Sequence, residues 1–128
     1  MNSQVPSISE SEWIVASEVW EEDGLTASEI GTRLDGRMAW KQKTINTFLT
    51  RLTTKGVLEA RPEGRAFRYF ARIPREQCVK AESESFLHRV FGGAVAPMLA
   101  HFCETADLSG EEVERLRKIL TEKSRREK

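Results

Sequence analysis

Residues 41–56 read KQKTINTFLTRLTTKG, and two patterns are overlaid in them. Ile45, Phe48, Leu49 and Leu52 recur at i, i+3, i+4 and i+7, the spacing that lines one face of an α-helix with apolar side chains. Gly56 follows them, and glycine is the residue that most readily takes the left-handed conformation closing a helix. The spacing predicts a helix over 41–55. The outward positions, Lys43, Thr44, Thr47, Thr50, Arg51 and Thr54, are hydroxyls and cations, and no acid occurs from Lys41 to Lys55. A solvated helix ordinarily mixes Glu with Lys, because opposite charges four residues apart support each other. Without that mixture the face is fitted to a polyanion.

Working outward from this helix, the upstream chain carries two starts of one design. Ser9 stands three residues before Glu12 and Thr26 three before Glu29, each preceded by an apolar residue, Ile8 or Leu25. Such a hydroxyl caps the backbone N–H of the third helical residue while the Glu reaches back to the cap's own N–H. These signals predict helices over 10–22, with Trp13, Ala16, Val19 and Trp20 inward, and over 27–34, burying Ala27, Ile30 and Leu34. Downstream of Gly56 the period falls to two. Residues 57–61 and 66–72 read as strands joined by a turn at Pro62-Glu63-Gly64-Arg65, with Phe67, Tyr69 and Ala71 on one face and Arg68, Phe70 and Arg72 on the other. Three helices followed by a small basic hairpin is the element order of a winged helix-turn-helix, which we assign to residues 1–74.

Residues 75–128 return to helical spacing. A helix over 76–91 stops at Gly92-Gly93; Val95, Met98, Leu99 and Phe102 form the next apolar stripe; and a third cap, Ser109 with Glu112, opens a helix bearing Val113, Leu116, Ile119 and Leu120. So short a segment rarely stabilises itself. It therefore either folds back on the first domain or pairs with a second copy, through Phe86, Leu87, Val95, Met98, Leu99, Phe102, Val113, Leu116 and Leu120. The fold class is mainly α with a small β-hairpin wing, a winged helix-turn-helix domain followed by a three-helix dimerisation segment.

Totals conceal the polarity of the chain. Its 128 residues, 39% hydrophobic and 31% charged, carry a net charge of zero. Residues 10–36 hold eight acids and the single base Arg33, giving −7, whereas residues 37–75 hold ten bases against Glu59 and Glu63, giving +8. A segregated basic block is either a solvated face or the footprint of a phosphate-binding surface. No apolar run is long enough to span a bilayer, and residues 1–6 lack the basic start and apolar core of a secretory signal, so a cytoplasmic protein without membrane insertion is expected. Cys78 and Cys103 are too few for a disulfide scaffold. With His88 and His101 they are the soft nucleophile or metal candidates, and beyond His101-x-Cys103 they have no ligand or triad spacing. An enzyme, a metal site and a cofactor are all excluded on this reading.

A helix entering the major groove applies its N-terminal outward residues to base edges and its flanks to phosphate. Lys43, Thr44 and Thr47 are thus candidates for base reading, and Lys41, Thr50 and Arg51 for phosphate. Trp40 either donates its indole N–H to phosphate or packs in the core. Arg65 at the wing tip and Arg68 on the wing's outer face are candidates for backbone or minor-groove contact. A winged helix that docks on protein instead would show apolar or mixed-charge faces on the wing and third helix, which is not the pattern here.

The motifs Trp40-Lys41-Gln42-Lys43-Thr44-Ile45, Leu49-Thr50-Arg51-Leu52, Lys55-Gly56, Glu63-Gly64-Arg65, Phe67 with Tyr69, Ser85-Phe86-Leu87 and Leu108-Ser109-Gly110-Glu111-Glu112 occur in the order and spacing of the penicillinase repressor family, which the chain resembles from about Ile8 to Lys123. The resemblance implies a homodimeric transcriptional repressor that binds palindromic double-stranded operator DNA. It also implies release when a membrane sensor protease, on detecting a β-lactam, cuts the repressor; the matching bond here is His101–Phe102. Two sites depart from the family pattern. Lys41-Gln42 stands where members often have Ser-Pro, and His101 stands where they have Asn before the cut. Copper-sensing relatives carry clustered C-terminal cysteines, which this chain lacks, and the residues themselves do not say whether the signal is a β-lactam or another inducer.

Overall fold

The computed structural model describes residues 5–127. Helix α1, Glu10–Glu21, opens on a complete capping box: the Glu12 backbone N–H donates to the Ser9 hydroxyl at 3.1 Å, and the Ser9 N–H donates to the Glu12 carboxylate at 3.0 Å. Thr26 and Glu29 repeat the arrangement at 3.1 and 2.9 Å at the start of α2, Ala27–Leu34. Helix α3, Gln42–Lys55, buries Ile45, Leu49 and Leu52, and ends at Gly56, whose φ of 84° is the left-handed value the sequence requires there.

The inward face of α1 differs from the sequence expectation. Val15, Ala16 and Val19 are buried, but Trp13 and Trp20 are half-buried at its margin, edge to face with centroids 5.0 Å apart. The Trp20 indole N–H donates to the Ile73 carbonyl at 3.1 Å. The burial that apolar spacing assigned to the tryptophans goes instead to Val15 and to two acids, Glu12 and Glu18. Both acids have cationic partners: Lys55 Nζ lies 2.6 Å from Glu12, and Arg37 lies 3.0 Å from Glu18 with Arg33 at 3.5 Å. Buried carboxylates are tolerated when so paired.

Three strands make one antiparallel sheet in the order β1-β3-β2, with β1 at Leu25–Thr26, β2 at Leu58–Glu63 and β3 at Ala66–Ala71. Strand β1 has only two residues, fewer than any alternation can mark, and they double as the cap of α2. The hairpin is also tighter than expected. Pro62 and Glu63 belong to β2, paired with Phe67 and Ala66, so the turn is Gly64-Arg65 with Gly64 at φ 64°. Pro62 is admissible because β2 lies at the sheet edge, where a missing N–H leaves no ladder bond unmade.

Helices α4, Arg75–Phe91, α5, Val95–Thr105, and α6, Gly110–Glu127, complete the chain. Two compact units divide within α4, one reaching to Glu84 and the other starting at Ser85. The first turns of α4 stay with the first unit because Cys78 is wholly buried among the core residues of the helices and sheet. In the second unit α5 and α6 bury no residue, and Val95, Phe102, Val113, Leu116, Ile119 and Leu120 are exposed. Among the described residues no helix is long and apolar enough to cross a membrane.

Candidate nucleic-acid interface

Helices α2 and α3 form the helix-turn-helix, and Gln42 ties them together. Its side-chain amide donates to the Ala27 carbonyl of α2 and to Asn46 Oδ1 one turn along α3, each at 2.9 Å. The apolar stripe of α3 faces inward, which turns Lys43, Asn46, Thr47 and Thr50, related as i, i+3, i+4 and i+7, to the outside; all four are exposed. Thr44 is half-buried and Arg51 exposed on the flank. The Thr47 hydroxyl donates back to the Lys43 carbonyl at 3.1 Å and Thr50 to that of Asn46 at 3.0 Å. With their protons turned into the helix, these threonines present methyl groups and oxygen lone pairs outward. No side chain caps α3 and no acid lies in its first turn, so the positive helix terminus is joined by Lys41 and Lys43 alone.

The structure sorts the basic block into two populations. Among the described residues, Lys55, Arg37, Arg61 and Arg68 are ion-paired, to Glu12, Glu18, Glu59 and Glu63 respectively. Lys41, Lys43, Arg51, Arg65, Arg72 and Arg75 have no acidic partner among the described residues, and all six are exposed; the first four lie at α3 or at the wing tip. Lys55 illustrates the first population: it also donates to the Ser7 carbonyl at 2.8 Å. Burial pushes the Glu12 carboxyl up, but hydrogen bonds from Lys55 and Ser9 and the Lys55 charge outweigh it, and Glu12 titrates below its ordinary value.

On the wing, Arg65 projects from the turn while Arg68 is held against the body, donating to the Gly24 carbonyl at 2.7 Å and pairing with Glu63 and, at 3.6 Å, with Glu29. Arg68 thereby fixes the wing to the cap of α2. Arg61 lies 4.0 Å over the Phe70 ring, and Phe67 stays half exposed opposite Pro62. Trp40 is half-buried with its ring 5.0 Å from that of Phe48, over which the Arg51 guanidinium lies 6.0 Å from the ring centroid. The sequence marks Gln42 only as a departure from the family pattern and assigns no role to Asn46, although Asn46 stands three residues after Lys43 in the same outward row.

In the second unit, His101 and Phe102 are exposed on α5, and Phe102 stacks on Phe86 with centroids 6.3 Å apart. Phe86, Leu87, Met98 and Leu99 are half-buried. Burial, and after it Glu82, raises the Cys78 thiol, which leaves it an unreactive core residue. Among the described residues no cluster of three metal-ligating side chains occurs.

A winged helix-turn-helix whose outward recognition row is cationic and free of acids defines a DNA-binding transcriptional regulator. The particular lineage follows from comparison with known proteins: residues 8–122 match the penicillinase repressor family. The penicillinase repressor of Bacillus licheniformis is 36% identical over 125 residues, 98% of each chain. The DNA-binding domain of the repressor BlaI in solution superposes with a TM-score of 0.53 at 34% identity, over 57% of this chain and 89% of that one. The Bacillus licheniformis BlaI monomeric form in complex with the blaP half-operator gives a TM-score of 0.50 at the same identity and coverage. The chain belongs to the penicillinase repressor family.

Proposed function

We propose that the chain is a cytoplasmic homodimeric repressor that grips a palindromic operator, each protomer placing α3 in a major groove and its wing on the neighbouring backbone. The observation that carries the reading is the acid-free row of α3 flanked by cations with no internal partner. Lys43, Thr44 and Thr47 read bases; Lys41, Thr50, Arg51 and Arg65 hold phosphate. Trp40 shapes the flank through Phe48, and Arg68 sets the wing's angle as much as it meets DNA. One recognition helix supplies a few base contacts of about 1 to 3 kcal/mol each, too few for an operator, so a second protomer one helical turn or a multiple away is needed.

The second protomer pairs through the exposed apolar residues of α5 and α6, with Phe86, Leu87, Met98 and Leu99 behind them. A sensor protease would release the operator by cutting at His101–Phe102. That bond lies within a helix: the His101 carbonyl accepts from the Thr105 hydroxyl at 2.9 Å and the Phe102 carbonyl from the Ala106 N–H at 2.8 Å. Cleavage therefore requires this turn to open locally, and opening it also strips Phe102 from Phe86.

The full chain titrated onto a palindromic duplex and onto its half-site tests the reading. Binding to the palindrome should be cooperative, far tighter than to the half-site, and steeply salt-dependent. Equal affinity for the two duplexes, or a salt slope near zero, would overturn it.

A further inference from the structure

We propose that Asn46 is a base-reading residue specific for guanine, and that Gln42 and Gly31 are the positioning residues that aim it. The inference rests on the reading of α3 as the groove-entering helix.

Ala27 O can only accept, so the Gln42 atom 2.9 Å from it is the amide nitrogen, and the second hydrogen of that nitrogen needs another acceptor. Asn46 Oδ1 supplies it at 2.9 Å. The orientation of the Asn46 amide is thereby fixed in a chain from α2: its oxygen is turned to Gln42, and its NH2 group is left facing away, on an exposed residue of the outward row. Neither hydrogen of that NH2 has a partner among the described residues. What Asn46 offers the groove is therefore donors. A free Asn discriminates adenine by offering one donor and one acceptor side by side, whereas guanine presents two acceptors, N7 and O6, at its major-groove edge. A donor-only amide matches guanine and meets the adenine amino group as donor against donor.

Gly31 completes the device. A Cβ at that position of α2 would lie 2.1 Å from Gln42 Oε1 and 3.0 Å from its Cδ. The Gln42 amide can lie across α2 only because residue 31 has no side chain. An alanine there would displace the end of the Gln42 side chain without moving backbone, and would at the same time favour the helix.

The test uses the full chain and duplexes selected by the wild-type protein from a randomised palindromic library. Each base pair of the selected half-site is then varied, and 7-deazaguanine is substituted at each guanine. Asn46→Ala should abolish preference at one base pair per half-site, a loss of about 5- to 150-fold in discrimination, with preferences elsewhere and the salt slope unchanged. The 7-deazaguanine substitution should weaken the wild type at that same base pair and leave Asn46→Ala indifferent. Gly31→Ala and Gln42→Ala should reduce discrimination at that base pair and nowhere else, and neither should add to Asn46→Ala. Gly31→Ala should do so without lowering thermal stability, which a merely structural role would not predict. Unaltered preferences in Asn46→Ala, or a uniform weakening at every base pair, would overturn the inference while leaving the DNA-reading function standing. If the wild-type chain selects no duplex, the reading of α3 falls and this inference with it.

Discussion

The division of the basic block into paired and unpaired cations makes a quantitative prediction about salt. A cation committed to a carboxylate releases no counterion from DNA on binding, or fewer, whereas Lys41, Lys43, Arg51 and Arg65 are free to neutralise phosphate. Counting these four, and not Arg72 and Arg75, which follow the wing strand, two protomers of the proposed dimer bring eight such cations to an operator. At about 0.9 per phosphate neutralised, the slope of log K against log salt should be about −7, equivalent to a loss of roughly four decades of affinity between about 50 and 200 mM salt. Replacing Arg65 by Ala removes two contacts and should flatten the slope to about −5.5. Replacing Arg61 by Ala, also on the wing, should leave it within experimental error of the wild type, because that guanidinium is paired with Glu59 at 3.3 Å and stacked on Phe70. Fluorescence anisotropy of a labelled palindrome, titrated at a series of KCl concentrations, measures all three. Equal flattening by the two substitutions would refute the sorting of the cations, and a wild-type slope shallower than about −2 would refute the electrostatic reading altogether.

Lys55→Met strands the Glu12 carboxylate, whose side chain is 3% exposed. Removing one partner of a buried pair costs about 3 to 5 kcal/mol, reduced here to about 1 to 3 because Lys55 is itself one-third exposed. The pH dependence should weaken as well. In the wild type a carboxyl held below its ordinary value stabilises the fold above pH 4.5, and that stability is lost as pH falls through the lower folded value. In Lys55→Met only the Ser9 hydrogen bonds still oppose burial, so the carboxyl should move up from its wild-type value and the gain in urea midpoint as pH rises from 4 towards 7 should shrink; a gain as large as that of the wild type refutes the pairing. Leu49→Ala empties a site with no exposure at the centre of the first unit and should cost about 2 to 5 kcal/mol in chemical denaturation. Leu120→Asp places a charge on the exposed apolar row of α6 and should convert the proposed dimer to monomer in sedimentation equilibrium, with helix content retained; a dimer unaltered by the substitution would remove α6 from the interface.

The parts of the fold legible in the sequence were those where a local rule acts alone. The boxes at Ser9, Thr26 and Ser109 form as read because each needs only two side chains three residues apart. The stripe of α3 is legible because one period covers the whole helix. Legibility ended where tertiary partners decide. Spacing put Trp13 and Trp20 inward on α1 and left Glu12 and Glu18 outside, because no periodicity can know that Lys55, Arg33 and Arg37 come round to meet the acids. Strand β1 was invisible for a different reason: at two residues it owes its existence to β3, through the pairs Leu25 with Tyr69 and Thr26 with Arg68. The role of Gln42 is not legible because it depends on the Ala27 carbonyl of α2, fifteen residues upstream by sequence yet one hydrogen bond away.

The same pairing explains why a neutral chain can be built to bind a polyanion. The acids of residues 10–36 are not a diffuse counterweight to the basic block. Glu12 and Glu18 sit inside the first unit and fasten the cations nearest the frame, Lys55 at the end of α3 and Arg37 at the turn before it, so that both ends of the recognition helix are tied to α1. Glu29 and Glu63 do the corresponding work for the wing through Arg68. Glu12 and Glu18 are buried on α1, so neutralisation by them stops at the frame and leaves Lys41, Lys43, Arg51 and Arg65 without an acidic partner among the described residues. Net charge is therefore uninformative in this fold. An acid moved a few residues to the outward row of α3, as in Thr50→Glu, would leave the core contacts intact and change the total by a single charge, yet it should repel DNA wherever the row meets the backbone. Gel shift on the palindrome should show that loss at low salt, and unchanged binding would mean that Thr50 does not face DNA.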